Sequence, residues 1–419
     1  MNVHASEAAT APPPWPAADL EPAAVDQASV STGAFDRRTV SLMSAAHLVH
    51  DSYPAFVGVL LPLLISKLSL SLAEAGLLAS GIRWTMMLQP SLGFLADRRD
   101  TRYWVVVAPA TTAIVVSLIG IAPSFSAVFV LLLIAGVSHS AFHPAAAAAA
   151  TRASGDRWGR GTSYFMTGGE LGRTLGPLFI AAIVTAFGLE WSWLALFPGL
   201  VFSFLLYRQV GRSPSIVFTH PPGSLRAAFG QDRRTVLLVA SAVVLRSFAN
   251  VGFLIFLPTL LVGEGVGLVY ASLAIASYEL GGTAGAFLGG TASDRLGRRL
   301  VMAASLAAGL PLLTAAFFIP AGPLQLAGFM LAGFAILSAM PVQLVAMHEL
   351  FPDNRSTATG INYFMGTAGA LLASIVIGAL ADVIELRLAL LTAFAVSALA
   401  IPTFFLWPRS LLSTVRARA

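Results

Sequence analysis

Residues 136–178 read GVSHSAFHPAAAAAATRASGDRWGRGTSYFMTGGELGRTLGPL. Two apolar stretches flank a short turn rich in arginine (Arg152, Arg157, Arg160). The first stretch carries His139 and His143, and the second carries Glu170 and Arg173. Gly168, Gly172 and Gly176 recur every fourth residue, which places them on one stripe of a helix, and Pro177 follows. Ionisable side chains inside apolar helices are expensive in hydrocarbon, so this hairpin implies both partners for its charges and a use for them.

The rest of the chain has the same character. It is 57% hydrophobic and 11% charged, against about 25% charged for soluble chains, and its mean hydropathy is +0.79. The apolar residues come in blocks long enough to cross a bilayer, which takes roughly 20 residues per helix. The fold class read from this is an all-α membrane protein. There is no cysteine, so disulfide and thiol chemistry are excluded. The pI near 10.0 comes from 24 Arg and one Lys. All but Arg83, Arg173 and Arg246 sit in the segments between apolar blocks or beyond them, the pattern that sets membrane topology rather than one that binds nucleic acid.

Twelve spans are expected, at about 41–66, 72–96, 103–122, 126–148, 160–187, 190–209, 235–262, 267–292, 300–319, 324–347, 357–382 and 386–407. Residues 1–36 are rich in Ala and Pro, lack a signal-peptide pattern and read as a disordered tail. A polar link over 210–234 divides a six-helix bundle, 37–209, from a second, 235–407, and 408–419 form a short tail. With the amino terminus in the cytoplasm, the inside segments hold 20 Arg, and the outside loops hold only Lys67 and Arg387. Both termini and the link are therefore expected in the cytoplasm.

The two halves repeat. Gly93-Phe-Leu-Ala-Asp97-Arg98-Arg99 returns as Gly290-Thr-Ala-Ser-Asp294-Arg295-Leu-Gly-Arg298-Arg299, at an offset of 197. Gly161-Thr-Ser-Tyr164-Phe165-Met166 returns as Gly360-Ile-Asn-Tyr363-Phe364-Met365, offset 199, and Leu61-Pro62 returns as Leu257-Pro258, offset 196. Three matches at one spacing mark a parallel duplication of six helices.

The two Gly-x-x-x-Asp-Arg turns resemble the signature loop of the major facilitator superfamily. Asp97, Arg98, Asp294, Arg295 and Arg298 would then latch the bundles together on the inner face. A narrower resemblance covers most of the membrane portion. His47-Leu-Val-His50-Asp51, Leu88-Gln89-Pro90, Phe142-His143-Pro144, Arg152-Ala-Ser-Gly155, Gly168-Gly169 with Leu175-Gly176-Pro177-Leu178, and Glu349-Leu350-Phe351-Pro352 look like the fosmidomycin-resistance family. That resemblance implies a proton-driven drug exporter of the inner membrane. His47, Asp51 and His143 match the family pattern, whereas His50, Arg83, His139, Glu170 and Arg173 stand where uncharged residues are expected.

Depth along each span groups the ionisable residues. At 1.5 Å per residue, Asp51, Arg83, His139, Glu170, Arg246 and Glu279 all lie about ten to thirteen residues into their helices, near the midplane. Transporters of this plan bind substrate there. His47, His50 and Asp51 share one face, His139 and His143 are four apart, and Glu170 and Arg173 are three apart. The stripe of Gly168, Gly172 and Gly176 and the stripe of Gly281, Gly285 and Gly289 read as packing surfaces between the halves. Asp51, with Glu170 and Glu279, is the candidate proton carrier. His47, His50, Arg83, His139, His143, Arg173 and Arg246 are candidates for substrate binding, the arginines because guanidinium grips carboxylate or phosphonate bidentately. Glu170 with Arg173, and Glu279 with Arg246, can equally be buried structural pairs.

The leading expectation is a proton-coupled exporter of a small polar or anionic compound or drug, working by alternating access as a monomer. Its partners would be that substrate, protons and the lipid bilayer, with no nucleic acid, no cofactor and no resident metal. A proton-coupled importer of a small organic acid is the alternative. A third reading takes His47, His50, Asp51, His139 and His143 as a transition-metal site, since imidazole and carboxylate suit such ions. A membrane sensor would need a sizeable soluble domain, and neither a catalytic constellation nor a phosphate-binding loop appears.

Overall fold

A computed structural model of the chain describes residues 34–96, 101–210, 233–350 and 355–407. Among these residues the chain is helical, and ten helices are long and apolar enough to cross a membrane. Helices occupy the expected segments with shifted ends, the fourth running on from residue 148 to Ala153. Residues 1–33 of the expected tail, the centre of the link, the last residues, Asp97 and Arg98 lie outside the described residues.

The amino-terminal half consists of α1 (Arg37–Leu68), α2 (Leu72–Met86), α3 (Gln89–Ala96), α4 (Arg102–Ser117), α5 (Phe125–Ala153), α6 (Trp158–Phe187) and α7 (Leu196–Val210). The other half consists of α8 (Arg233–Val251), α9 (Leu257–Gly263), α10 (Leu268–Leu296), α11 (Arg298–Ala316), α12 (Pro323–Leu337), α13 (Ala339–Leu350), α14 (Arg355–Ile384), α15 (Leu386–Ala398) and α16 (Ala400–Phe405). Local chemistry sets several ends. Asp36 caps α1 by accepting from the backbone of Arg38 and Thr39, and Ser71 with Glu74 forms a capping box on α2. Gly297, at φ 90°, ends α10 and turns directly into α11.

Two expected spans fall outside the ten, for different reasons. The segment 72–96 is two helices broken at Met87 and Leu88, because Pro90 lacks an N–H and disfavours helical geometry before it. The segment 268–296 is one helix of 29 residues, but its glycines, hydroxyls and Glu279 dilute its apolarity. The seventh span carries a π-turn at Gly252–Phe256 between α8 and α9, a wide turn common at functional positions.

Within the first half, α1 packs on α6, α2 on α5, and α4 on α5 and α7. Within the second, α10 and α11 pack on α12, and α8 on α14 and α15. The halves meet where α2 lies on α14, α6 on α10, and α1 on α9 and the π-turn.

The glycine stripes do not join the halves, contrary to the expectation. A Cβ on Gly168, Gly172 or Gly176 would lie 2.1, 2.2 or 2.5 Å from the carbonyl oxygen of Ser44, Leu48 or Ser52 of α1. A Cβ on Gly281, Gly285 or Gly289 would lie 1.9, 2.0 or 2.2 Å from that of Met330, Phe334 or Ser338, on the span formed by α12 and α13. Each stripe therefore seats two helices of one half backbone to backbone, with four-residue spacing matched on both sides.

Other glycines form the seam between halves. A Cβ on Gly58 would meet Leu254 O at 2.2 Å, one on Gly76 would meet Ser374 O at 2.4 Å, and one on Gly378 would meet Leu72 O at 2.4 Å. Asp382 at the end of α14 accepts from the backbone N–H of Leu72 at 2.8 Å and of Ala73 at 2.9 Å, so one half caps a helix of the other. These contacts lie in the part of the molecule away from the described chain ends. Towards those ends, a Cβ on Gly93, Gly290 or Gly360 would meet nothing within 4 Å. Asp294 and Arg295 are exposed, while buried Arg298 pairs with Glu349 of α13 in its own half. Arg298 thus pins α11 to α13.

The seam yields a prediction that the cysteine-free sequence makes convenient to test. Replacing Asp382 with Ala removes a cap worth roughly 0.5–2 kcal/mol from the closed end only. Ser374→Cys, fully buried against Gly76, should label several-fold faster with a maleimide in the Asp382→Ala background. Equal rates would show that the cap does not hold the seam.

Candidate functional site

Helix α6 can approach α1 this closely only because its contact positions are glycine, and the approach assembles a charged centre. Gly169 faces His47, and a Cβ there would lie 2.6 Å from His47 Cε1 and 3.1 Å from Asp51 Oδ2. From α5 come His139 and His143, one turn apart, with Phe142 between them. His47, His50, Asp51 and His139 are buried. The His143 side chain, at 22% exposed, is the most open of the four histidines and Asp51.

Two backbone carbonyls decide what these imidazoles present to one another. His47 Nδ1 lies 2.8 Å from Phe165 O, and His143 Nδ1 lies 3.0 Å from His139 O. A carbonyl only accepts, so in each ring Nδ1 carries the hydrogen and a neutral ring keeps a bare Nε2. Both bare nitrogens face the same carboxylate. His47 Nε2 is 3.2 Å from Asp51 Oδ2, His143 Nε2 is 3.3 Å from Asp51 Oδ1, and the two Nε2 atoms are 3.3 Å apart. Three groups of lone pairs converge with no hydrogen of their own between them, which makes the array a receptor for protons or for a cation.

Arg173 ties this array to the other half. Its guanidinium pairs with Glu170 on its own helix and lies 3.7 Å from Asp51 Oδ2 and 3.6 Å from Glu279 Oε2 on α10. Three carboxylates thus share one arginine, and with neutral histidines the centre carries a net charge of minus two. Tyr363 of α14 lies in the field of Arg173, Asp51 and Glu170.

The expected site residues therefore divide. Asp51, Glu170, Glu279, His47, His50, His139, His143 and Arg173 come together. Arg83 and Arg246 do not join them, and among the described residues neither has an ion pair. Arg83 donates to the carbonyl of Ala79 on its own helix at 2.9 Å, and Arg246 Nε is buried without a hydrogen-bond partner. The structural pair expected between Glu279 and Arg246 is replaced by one between Glu279 and Arg173. Among the described residues, His50, Asp51, His139 and His143 form the group able to hold a metal ion, with ligand atoms within 4.8 Å of one another.

The Major Facilitator Superfamily model matches residues 54–277 and 239–417. The chain belongs to this superfamily. It is 26% identical over 359 residues to the uncharacterized MFS-type transporter YfnC of Bacillus subtilis (strain 168), covering 81% of this chain and 86% of that one. It is also 26% identical over 375 residues to the fosmidomycin resistance protein of Escherichia coli (strain K12), covering 86% and 91%. Among solved structures, a bacterial homologue of the human lysosomal transporter Spinster, inward-facing and unoccupied, superposes with a TM-score of 0.75 at 16% identity. That match covers 90% of this chain and 98% of the other. The nucleoside transporter NupG superposes with a TM-score of 0.69 at 16% identity, covering 88% and 98%. At that identity these structures share the superfamily fold and nothing finer.

Three features of the centre escaped the sequence reading. Gly169 is adjacent to the recognised stripe, but its role of clearing space for His47 depends on which helix lies opposite. The carbonyls of Phe165 and His139 carry no sequence signal at all. Tyr363 did have one, as the repeat partner of Tyr164.

The geometry predicts how the centre responds to change. Gly169→Ala should destabilise the protein by about 1–3 kcal/mol through overpacking, read as a lowered Tm. Arg173→Gln should lower Tm as well, by leaving three carboxylates without their cation, and Glu279→Gln in the same chain should recover part of that loss. A double variant no more stable than Arg173→Gln alone would contradict the shared arginine.

Proposed function

We propose that the protein is a proton-coupled exporter of the inner membrane, moving a small polar or anionic compound or drug outward by alternating access. In this reading twelve spans cross the bilayer and both termini are cytoplasmic. The observation that carries the proposal is the convergence of His47 Nε2, His143 Nε2 and the Asp51 carboxylate, each within 3.3 Å of the next. One proton turns a repulsive contact of lone pairs into a hydrogen bond, so the array takes up protons and releases them on exposure to a different pH.

Arg173 converts that proton into a force between the halves. While Asp51 is ionised, the guanidinium is drawn towards Asp51 and Glu170 on the first half. Protonation removes that attraction and leaves Arg173 to Glu170 and Glu279, and Glu279 belongs to the second half. A unit charge pair at about 4 Å is worth roughly 4 kcal/mol at an effective dielectric of about 20. Moving a two-state equilibrium from 1:99 to 99:1 takes about 5.5 kcal/mol. The change is therefore of the right size to bias rocking between inward-open and outward-open forms.

The relative in Escherichia coli that is named for fosmidomycin resistance supports the outward direction. Arg83 and Arg246, cations without an acid of their own, are the groups that would hold an anionic cargo. An importer of a small organic acid would use the same residues, and comparing a deletion strain's drug sensitivity with its growth on such acids separates the two.

Reconstituted vesicles provide the test of coupling. An imposed pH gradient should drive substrate movement, and Asp51→Asn should abolish that drive while Asp36→Asn, at the cap of α1, leaves it. Transport indifferent to the gradient, or unchanged in Asp51→Asn, would sink the proposal.

A further inference from the structure

Two histidines of the cluster have no part in the exchange described above. His50 is fully buried, and neither of its ring nitrogens has a hydrogen-bond partner. His139 Nδ1 is also buried without one, as is Asp51 Oδ1, despite its closeness to His143. A buried polar group left unsatisfied costs roughly 1–3 kcal/mol, and here several adjoin one another in apolar surroundings. His50 lies nearly parallel to His139, with ring centroids 5.3 Å apart, and packs over Phe142 at 4.1 Å. Packing therefore holds these rings together although no hydrogen bond does.

Donor type, support and charge together indicate what would satisfy them. Three imidazoles and one carboxylate form a nitrogen-rich set, which suits divalent first-row transition ions and not Mg2+ or Ca2+, which take oxygen ligands. The His143 Nδ1–H directed at the His139 carbonyl is the outer support that metal-bound histidines use to fix their orientation. The 3.3 Å between His143 Nε2 and Asp51 Oδ1 matches the edge of a tetrahedron with bonds of about 2.0–2.1 Å, which is roughly 3.3–3.4 Å. The net charge of minus two over Asp51, Glu170, Glu279 and Arg173 equals that needed to neutralise one dication. The bare Nε2 of His47, 3.3 Å from His143 Nε2, offers a further donor at the same point.

We propose that His50, Asp51, His139 and His143 bind a divalent transition-metal ion of the Zn2+, Ni2+ or Co2+ type. The ion takes atoms that the coupling protons use, so metal and protons exclude each other there. The site rests on donor type, geometry and charge and stands whether or not transport is driven by protons.

Purified full-length protein, freed of any histidine-rich purification tag, is titrated with Co2+. The expected result is the intense visible absorption of tetrahedral or five-coordinate Co2+, displaced by Zn2+ and untouched by Mg2+. His50→Gln and His139→Gln should each weaken binding by at least about tenfold. If both variants aggregate, X-ray absorption of the Co2+-loaded wild-type protein counts its imidazole ligands directly, with two or more expected. Absence of the absorption band, an all-oxygen coordination shell, or unchanged affinity in both variants overturns the site. Because the readout is ion binding, losing the metal with pH-driven transport intact removes this proposal alone. Ion binding in a protein indifferent to pH would remove only the proton reading.

Discussion

Everything at the centre of this transporter depends on how closely α6 lies against α1. Hydrocarbon offers no hydrophobic drive for two helices to associate, so close backbone packing must supply the attraction. Gly168, Gly172 and Gly176 supply it by meeting the carbonyls of Ser44, Leu48 and Ser52 at distances that no side chain would allow. The same approach brings Gly169 against His47 and Asp51, and puts the Phe165 carbonyl on the His47 ring. A packing device and a functional site are thus two faces of one helix pair.

The charges at that centre are costly in a membrane and are tolerated because they are shared. Arg173 serves Glu170 and Asp51 on the first half and Glu279 on the second, so no carboxylate is left with a full uncompensated charge. Sharing also makes the centre responsive. A buried pair with one acid and one base is satisfied and static, whereas three acids competing for one arginine rearrange whenever one of them is neutralised. In the proposed coupling, a change in charge near Asp51 would reach the contact between α6 and α10, where the two halves meet.

The seam at the closed end uses different chemistry. There, backbone lies on backbone at Gly58, Gly76 and Gly378, and the Asp382 carboxylate caps α2. Among the described residues no buried ion pair joins these surfaces, and water can replace the cap.

Much of this was legible from residue order alone. The membrane class, the duplicated plan and the superfamily follow from the apolar blocks, the repeated Gly-x-x-x-Asp-Arg turns and the depth of the ionisable residues, because helix length and burial depth are linear properties of a chain. The rotation of each helix about its axis, and the neighbour it faces, are not linear. The glycine stripes were recognisable as packing surfaces, yet which helix each one meets emerged only from the assembled bundles. Glu279 pairs with Arg173 and not with Arg246 for the same reason, and Arg298 finds Glu349 in its own half. The tautomers of His47 and His143 depend on carbonyls contributed by Phe165 and His139, groups that every residue possesses and no sequence pattern marks. Sequence by itself determined that charged residues sit midway along apolar helices; tertiary structure decided which charges touch, because that is a matter of helix rotation and approach.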